Sequence, residues 1–215
     1  MQFSILTWLA DLHKDGKIPM GSVRINKKGV DKDVRFDEWA AKMKEHFERC
    51  FWVPESPSED HQHDIDKTLV NRRGIYKDVY GSADRYTDYQ LRCNIPIAMS
   101  YAPELFDRKH AQVCITNIAN ILMEKGCMGI KTLDPKDRNY NGDYINSDDT
   151  AGWNYHQGPE WVWPVGFFLK AQLLFHDYQS KEEARFETMK WLIPHRDHIV
   201  KDKWEGLPEL TNSHG

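Results

Sequence analysis

The run Trp161-Val-Trp-Pro-Val-Gly-Phe-Phe-Leu-Lys-Ala-Gln-Leu-Leu-Phe175 is apolar on nearly every side of a helix. A helix without a polar face is buried on most of its sides, so this run predicts an inner helix. Pro164 is tolerated only in the first turn, where its missing N–H is not needed. The fold is therefore expected to assemble around this segment.

Amphipathic helices are predicted both before and after the inner helix in the sequence, because apolar residues recur there at helical spacing. A capping box of Ser180 and Glu183 starts the last of them, and Pro194 is expected to kink or end it. The third is expected to open at Pro103 and to end at a left-handed Gly126. The segments are residues 3–14, 36–51, 103–126 and a stretch from residue 181 onward.

Strand signals are almost absent from this sequence. Residues 23–25 predict one short strand with a turn at residues 27–29, whereas residues 54–66, 74–97 and 133–153 are predicted to be loops, the second with at most a short hairpin. Helices joined by alternating short and long loops predict an all-α fold of helical hairpins. An apolar inner helix beside amphipathic outer ones fits an (α/α) toroid. Residues 1–215 are expected to form one domain, which is only part of such a toroid.

Composition restricts the classes of protein to which the chain can belong. Its 215 residues are 40% hydrophobic and 12% aromatic, which is enough apolar material for a folded core. The net charge of −4 is spread along the chain, which disfavours nucleic acid as a partner. Apolar runs such as residues 115–123 are far shorter than the ~20 residues that span a bilayer, so no membrane partner is expected. The first ten residues carry no positive charge, and the 4 cysteines form no Cys-x-x-Cys pair, so a reduced cytoplasmic protein is expected.

Residues 152–163 concentrate three tryptophans, a tyrosine, a histidine and two amides around Glu160. Pyranose rings present C–H faces to aromatic rings and hydroxyls to carboxylates and amides, so this mixture predicts a sugar-binding site. A structural interpretation, with the tryptophans in the core and Glu160 at a helix N-terminus, fits the same spacing. The candidate sugar contacts in this segment are Asn154, His156, Trp161 and Trp163.

Glu209 lies in the segment Gly206-Leu-Pro-Glu-Leu-Thr-Asn212, whose glycine and proline indicate a defined loop. A rigid loop suits a catalytic acid or base. Glycoside hydrolysis requires two carboxyl groups about 5–9.5 Å apart, and Glu160 and Glu209 are the two candidates. The alternative for Glu209 is an exposed glutamate without a role in the fold or in catalysis.

Several segments of the chain, taken together, resemble the C-terminal glucosidase domain of the eukaryotic glycogen debranching enzyme family. The resemblance covers nearly all of the chain, although each segment alone is only suggestive. The matching segments are Phe36-Asp-Glu-Trp39, Arg73-Gly-Ile-Tyr-Lys-Asp-Val-Tyr-Gly81, Asp88-Tyr-Gln-Leu-Arg92, Ala102-Pro-Glu-Leu-Phe106, Lys131-Thr-Leu-Asp-Pro135, Asn154-Tyr-His-Gln-Gly-Pro-Glu-Trp161 and Gly206-Leu-Pro-Glu-Leu-Thr-Asn212.

This resemblance implies a glucoamylase-like (α/α) toroid with the active site in its funnel. It implies hydrolysis of the α-1,6-linked glucose of glycogen or a branched limit dextrin, with inversion and without a cofactor or a metal. The family's 4-α-glucanotransferase activity belongs to a separate N-terminal barrel. By the same resemblance Glu209 is the general base, and Glu160 binds hydroxyls or orients charge beside the cleaved bond. Asp88, Tyr89 and Arg92 would contact the sugar, unless Asp88 and Arg92 form a buried ion pair between helices.

The general acid of the family is an aspartate in a Trp-Met-Asp stretch, and this sequence contains no such stretch. Members of the family also continue into a last helix after the segment that ends here at Asn212. We therefore expect a partial domain that is inactive or weakly active alone, because losing acid–base help costs ~10²- to 10⁴-fold in rate. A non-catalytic helical scaffold or glycan-binding module is the alternative class.

Two segments carry patterns of metal ligands. Asp137, Asn139 and Asn141, followed by Asp148, match most of a calcium loop, but position twelve is not the usual Glu and no flanking helices are predicted. Residues 61–66 include two histidines and two aspartates, although a solvated loop is expected there rather than a zinc site. No metal site is therefore predicted.

Overall fold

The computed structural model describes residues 1–145 and 152–212 of the chain. About half of the described residues are helical, which confirms a mostly helical fold. The α-helices are α1 (Gln2–Lys14), α2 (Phe36–Phe51), α3 (Arg85–Asp88), α4 (Ile95–Tyr101), α5 (Arg108–Leu122), α6 (Pro164–Phe175) and α7 (Lys181–Lys201). The strands are β1 (Ser22–Lys27), β2 (Val30–Arg35), β3 (Trp52–Val53), β4 (Ile75–Tyr76), β5 (Ile130–Lys131), β6 (Glu160–Trp161) and β7 (Leu210–Thr211). Short 3-10 turns occupy Pro57–Gln62, Pro103–Leu105 and Trp153–His156.

The predicted inner helix is confirmed as α6, which contributes fully buried side chains such as Phe168 and Ala171 to the core. It begins at Pro164 because the preceding pair Glu160–Trp161 forms strand β6. Helices α4 and α5 pack against it. The hydroxyl of Ser100 on α4 donates to the Phe167 carbonyl at 3.0 Å, which fixes α4 against this helix.

Helix α4 was not anticipated, because residues 74–97 were predicted to be loops. It has only 7 residues, which is too short for a clear helical period. Pro96 lies in its first turn, where proline costs no hydrogen bond and favours the start of a helix.

The boundaries of two predicted helices are corrected. Helix α5 starts at Arg108 rather than at Pro103, because the Asp107 carboxylate caps it by accepting from the backbone N–H groups of Lys109 and His110. It ends at Leu122, four residues before Gly126. In α7 the Ser180 cap is confirmed, but an end at Pro194 is wrong, because the helix continues to Lys201.

The amino-terminal part combines α1 and α2 with a hairpin. Strands β1 and β2 pair antiparallel from Ser22 opposite Arg35 to Lys27 opposite Val30. The turn contains Lys28 at φ 54° and Gly29 at φ 79°, the left-handed pair of a two-residue hairpin loop. The strand predicted around residue 24 is thereby confirmed and extended.

Short strands elsewhere contradict the expectation of a purely α fold. Strand β3 pairs with β4, and β5, β6 and β7 form a three-stranded antiparallel sheet in that order. Strands of 2 residues give no alternation that a sequence pattern could reveal. No helix among residues 1–145 and 152–212 is long and apolar enough to cross a membrane.

The segment 54–66 is also more ordered than its composition predicts. The Asp60 carboxylate is 4% exposed, and it accepts hydrogen bonds from Arg73 at 2.8 and 3.0 Å. His63, one of the two histidines in the metal-ligand pattern of residues 61–66, has its ring nitrogen 3.2 Å from the Glu48 carbonyl oxygen. The segment is therefore anchored to the core by a buried ion pair rather than solvated throughout.

Candidate functional site

The three-stranded sheet places Glu160 at its centre. Lys131 on β5 and Thr211 on β7 are the direct cross-strand partners of Glu160. The Lys131 ammonium donates to one carboxylate oxygen at 2.8 Å, and the Thr211 hydroxyl donates to the other at 3.2 Å. Glu160 is 1% exposed, so this carboxylate is held in a buried ion pair within the sheet.

Glycine permits the close approach of β5 and β6. A Cβ atom added to Gly129 would lie 2.8 Å from the backbone carbonyl carbon of Glu160. Any side chain there would push the strands apart. The sequence therefore supplies the smallest residue where the buried pair requires the closest backbone contact.

Glu124 and Cys127 lie beside this ion pair, and with Glu160 they bring three ligand atoms within 4.8 Å of one another. The Lys131 ammonium is 3.4 Å from Glu124 and 2.8 Å from Glu160, so a cationic group already neutralises these carboxylates. Burial and the Glu160 carboxylate raise the pKa of the Cys127 thiol to about 11. A cation would have to displace the Lys131 ammonium from both carboxylates, so these ion pairs disfavour a metal at this cluster.

Glu209 immediately precedes β7 and presents an exposed side chain. Its carbonyl oxygen accepts from the Val162 N–H at 3.2 Å, which continues the β6–β7 pairing. Its carboxylate raises the pKa of Tyr155, mainly through a hydrogen-bonding interaction with the phenol. The two candidate carboxylates thus belong to paired backbone segments, but Glu160 is buried and Glu209 faces solvent.

Tyr155 connects Glu209 to an aromatic cluster. Its ring packs edge-on against Trp161 at 4.8 Å and against His156 at 5.0 Å. The Trp161 indole N–H donates to the Tyr155 carbonyl at 3.0 Å, and the His156 ring stacks on Trp161 at 4.8 Å. Tyr155 was missed as a site residue, although it lies inside the aromatic segment that the sequence singled out.

A groove of about 320 Å³ lies against this cluster. It brings together four of the predicted sugar contacts, of which Arg92 is distant in the sequence from His156, Trp161 and Trp163. Trp163 is 51% exposed and presents its ring to a ligand, whereas Trp161 is 8% exposed and forms part of the wall. The lining residues are Arg92, Cys93, Asn94, Thr132, His156, Trp161, Trp163 and Pro164.

Arg92 is held rigidly at the edge of the groove. Its guanidinium donates to the side-chain oxygens of Gln90 and Gln157, each at 2.9 Å, and to the His156 carbonyl at 2.8 Å. The Thr132 carbonyl at 3.5 Å and a second bond to Gln90 at 3.1 Å use the other donors of the guanidinium, so Arg92 fixes the shape of the groove edge.

Asp78 lies behind Arg92 and was also missed. Its carboxyl accepts from the Asn94 amide at 2.9 Å and lies 3.9 Å from the Arg92 guanidinium. Burial raises the pKa of Asp78 against the opposing effects of these two partners. The only sequence signal for Asp78 was its place in the segment that starts at Arg73.

Asp88 and Tyr89 do not line the groove, because both are fully buried. The Asp88 carboxylate accepts from the N–H groups of Gly81 and Ser82 at 2.8 and 3.0 Å, and Arg85 lies 3.1 Å away. The Tyr89 hydroxyl accepts from the backbone N–H of Asp66 at 2.7 Å. Their contacts organise the loops before α4.

The ion pair that the sequence suggested between Asp88 and Arg92 is not formed. Arg85 is the partner of Asp88, and Asp78 is the carboxylate closest to Arg92 in the ion pairs of the described residues.

Asn154 is fully buried below the aromatic segment. Its amide nitrogen donates to the carbonyls of Asp143 and Asn141 at 2.8 and 3.3 Å. Its side-chain oxygen has no hydrogen-bond partner among the described residues. Asn154 therefore ties the loop around residue 142 to the aromatic segment rather than lining the groove.

Asp137, the first residue of the calcium pattern, already accepts hydrogen bonds from other residues. The Asp137 carboxylate accepts from the backbone N–H of Asn139 at 2.8 Å and from the Gln90 amide at 3.1 Å. Asp148 lies outside the described residues. These contacts use Asp137 to shape the loop and offer no support for a calcium site.

A mostly helical chain in which an aromatic groove adjoins an exposed carboxylate is typical of a carbohydrate-active protein. The chain belongs to the amylo-alpha-1,6-glucosidase family, whose model matches residues 1–215. It is 40% identical over 233 aligned positions to the glycogen debranching enzyme of Saccharomyces cerevisiae. That alignment covers 99% of this chain, and the chain spans about 15% of the length of the yeast relative.

Proposed function

We propose that this chain contributes the water-activating side of an amylo-α-1,6-glucosidase site, within an (α/α) toroid of helical hairpins. Its substrate is the α-1,6-linked glucose of glycogen or a branched limit dextrin. The observation that carries this proposal is the exposed carboxylate of Glu209, which Tyr155 joins to the aromatic cluster around Trp161. Family membership and the name of the yeast relative support the choice of substrate.

In the proposed reaction Glu209 acts as the general base. It takes a proton from water while the water oxygen attacks the anomeric carbon from the face opposite the departing oxygen, so the configuration inverts. A carboxylic acid must protonate the departing oxygen at the same time. Only the base is assigned to this chain.

Glu160 acts as a positioning residue in this proposal, because its carboxylate is buried and already paired. Its contacts with Lys131 and Thr211 join β7 to the sheet, and Glu209 directly precedes β7. A carboxylate that fixes the loop in this way determines where the base is held, without contacting the water itself.

The groove beside Trp161 holds the sugar in this proposal. Trp163 offers an exposed ring for a pyranose face, and the His156 ring offers a polar group for a hydroxyl, at an edge of the groove that Arg92 holds in place. Asp88, Tyr89 and Asn154 support the loops around this groove from within the core. A neutral ligand fits a surface on which each charged group has a partner, as Arg92 has in Gln90 and Gln157.

The decisive experiment compares Glu209→Gln with Glu205→Gln, an exposed glutamate in the same loop. Both changes are made in a hybrid in which this chain replaces the matching segment of the yeast enzyme. We expect Glu209→Gln to lower glucose release from limit dextrin by ~10²- to 10⁴-fold while oligosaccharide binding is retained. Full glucose release by Glu209→Gln, or an equal loss in Glu205→Gln, would refute the proposal.

A glycan-binding module without catalysis is the second candidate. The observation that favours it is the position of Glu209, which does not line the groove. This candidate predicts that the unsubstituted hybrid binds oligosaccharide without releasing glucose, and that Arg92→Ala rather than Glu209→Gln abolishes binding.

A further inference from the structure

A second aromatic surface lies on the amino-terminal side of the molecule. Trp8 on α1 and Tyr101 at the end of α4 line two adjoining grooves of about 300 and 190 Å³. Trp8 is 59% exposed and Tyr101 is 48% exposed, so neither ring is used in the core. Two large rings exposed side by side are unusual unless they bind a partner.

The larger groove is also lined by the apolar residues Met1 and Ile5, whereas polar groups line the smaller one. The smaller groove is also lined by the hydroxyl residues Ser4 and Thr7 and by the acidic residue Asp11. Aromatic faces interleaved with hydroxyls and carboxylates fit the C–H faces and hydroxyls of a sugar chain. The Ser4 and Thr7 hydroxyls are bonded within the protein, but a purely apolar partner would bury the Asp11 carboxylate without a hydrogen bond.

Aromatic rings also connect this surface to the groove beside Trp161. The Trp163 ring lies 5.8 Å from Phe167, and the Phe167 ring lies 5.8 Å from Tyr101. Trp163 and Phe167 are four positions apart at the start of α6, so they face the same side of the helix. Trp163, Phe167, Tyr101 and Trp8 are hereafter called the aromatic track.

The track is held in place by contacts between helices. The Ser4 hydroxyl donates to the Tyr101 carbonyl at 2.6 Å, which joins α1 to the end of α4. The Lys170 ammonium lies 5.5 Å from the centre of the Tyr101 ring. The rings are therefore presented on three packed helices rather than on a loop, and this rigidity favours binding without a large entropy cost.

We propose that the aromatic track binds a linear stretch of α-glucan that extends away from the groove beside Trp161. This inference rests on the proposed function, because the groove identifies the ligand as a glucan. The acidic residues Asp11 and Glu104 line the smaller groove and disfavour an anionic ligand on the track. Its consequence is an affinity that increases with the length of the glucan.

The test measures binding of isomaltose and maltoheptaose to the purified 215-residue chain by calorimetry. We expect Trp8→Ala and Tyr101→Ala each to weaken maltoheptaose binding by about tenfold, a factor typical of one lost aromatic contact. Binding of the short isomaltose should not change, because it reaches only the groove. Phe186→Ala is the matched control, since Phe186 is 63% exposed and lies on α7 outside the track.

The outcomes separate the inference from the proposed function. Unchanged maltoheptaose affinity in Trp8→Ala overturns the track and leaves the groove intact, whereas failure of the unsubstituted chain to bind either sugar overturns both. Sedimentation identifies the rival occupant, because a self-association that Trp8→Ala abolishes would show that a second copy covers the surface. Trp8→Phe guards against misfolding, since it keeps a ring and should retain length-dependent binding.

Discussion

The carboxylate of Glu209 raises the pKa of the Tyr155 phenol, while the Tyr155 ring packs edge-on against Trp161 at 4.8 Å. One side chain therefore joins the loop of the proposed base to the wall of the groove. The hydrogen-bonding interaction with this carboxylate, together with its negative charge, favours the protonated phenol, so the pKa of Tyr155 is raised.

This relationship predicts a titration that is independent of activity. The pKa of Tyr155 is raised because Glu209 accepts its hydrogen bond, so Glu209→Gln should lower that pKa toward the ordinary tyrosine value of about 10. The measurement is an NMR titration of ring-labelled tyrosine, assigned with Tyr155→Phe. Glu205→Gln is the control and should leave the titration unchanged. A Tyr155 titration that is identical in Glu209→Gln would show that the bond is absent in solution.

The buried ion pair of Lys131 and Glu160 predicts a large loss of stability. The side chain of Lys131 is 4% exposed, so Lys131→Met would leave the Glu160 carboxylate buried without a cation. Breaking a buried pair from one side typically costs about 3–5 kcal/mol, which urea unfolding would measure. Adding Glu160→Gln to Lys131→Met should recover part of this loss. An unfolding free energy that Lys131→Met does not change would show that the pair is solvated.

Cys127 is predicted to react slowly with alkylating reagents. Burial and the neighbouring Glu160 raise its thiol pKa to about 11, and only the thiolate is nucleophilic. Alkylation by iodoacetamide should therefore accelerate with pH until the pH approaches about 11. Peptide mapping by mass spectrometry gives the rate at each pH. The rate at Cys127 should rise in Glu160→Gln, and a plateau near pH 8 would contradict the prediction.

The sequence predicts the parts of the fold that depend on neighbouring residues. Helix α1, helix α2 and the Ser180 cap of α7 are recognisable because each signal lies within one continuous amphipathic or capped segment. Helix α4 and the two-residue strands are too short to carry a period. Their formation depends on contacts with distant parts of the chain.

The candidate site is also only partly predictable from the sequence. The aromatic residues of the groove are visible in the sequence because His156, Trp161 and Trp163 occur within eight positions. The burial of Glu160 is not visible, because it arises from pairing with Lys131 and Thr211, which lie far away along the chain. Composition identifies the type of site, whereas strand pairing decides which carboxylate is buried and which is exposed.

The ion pair of Asp60 and Arg73 predicts how stability responds to acid. The Arg73 guanidinium holds the pKa of Asp60 below its usual range, against the opposing effect of burial. The folded state therefore binds the Asp60 proton less readily than the unfolded state does. Its contribution to stability is present above the ordinary aspartate pKa of about 3.9 and is lost as the pH falls toward the depressed value.

Asp60→Asn tests this contribution against Asp33→Asn, whose exposed Asp33 pairs with Arg24 at 3.1 Å on the hairpin. At pH 7 we expect Asp60→Asn to lower the unfolding free energy by about 1.5–3 kcal/mol, the range for hydrogen bonds to charged groups. Asp33→Asn should change little, because solvent screens an exposed pair. Urea unfolding at pH 7 and pH 3 should show a smaller acid loss in Asp60→Asn than in the unsubstituted chain, because the substituted side chain no longer titrates. Parallel pH dependences in these two proteins would contradict the assignment of this acid sensitivity to Asp60.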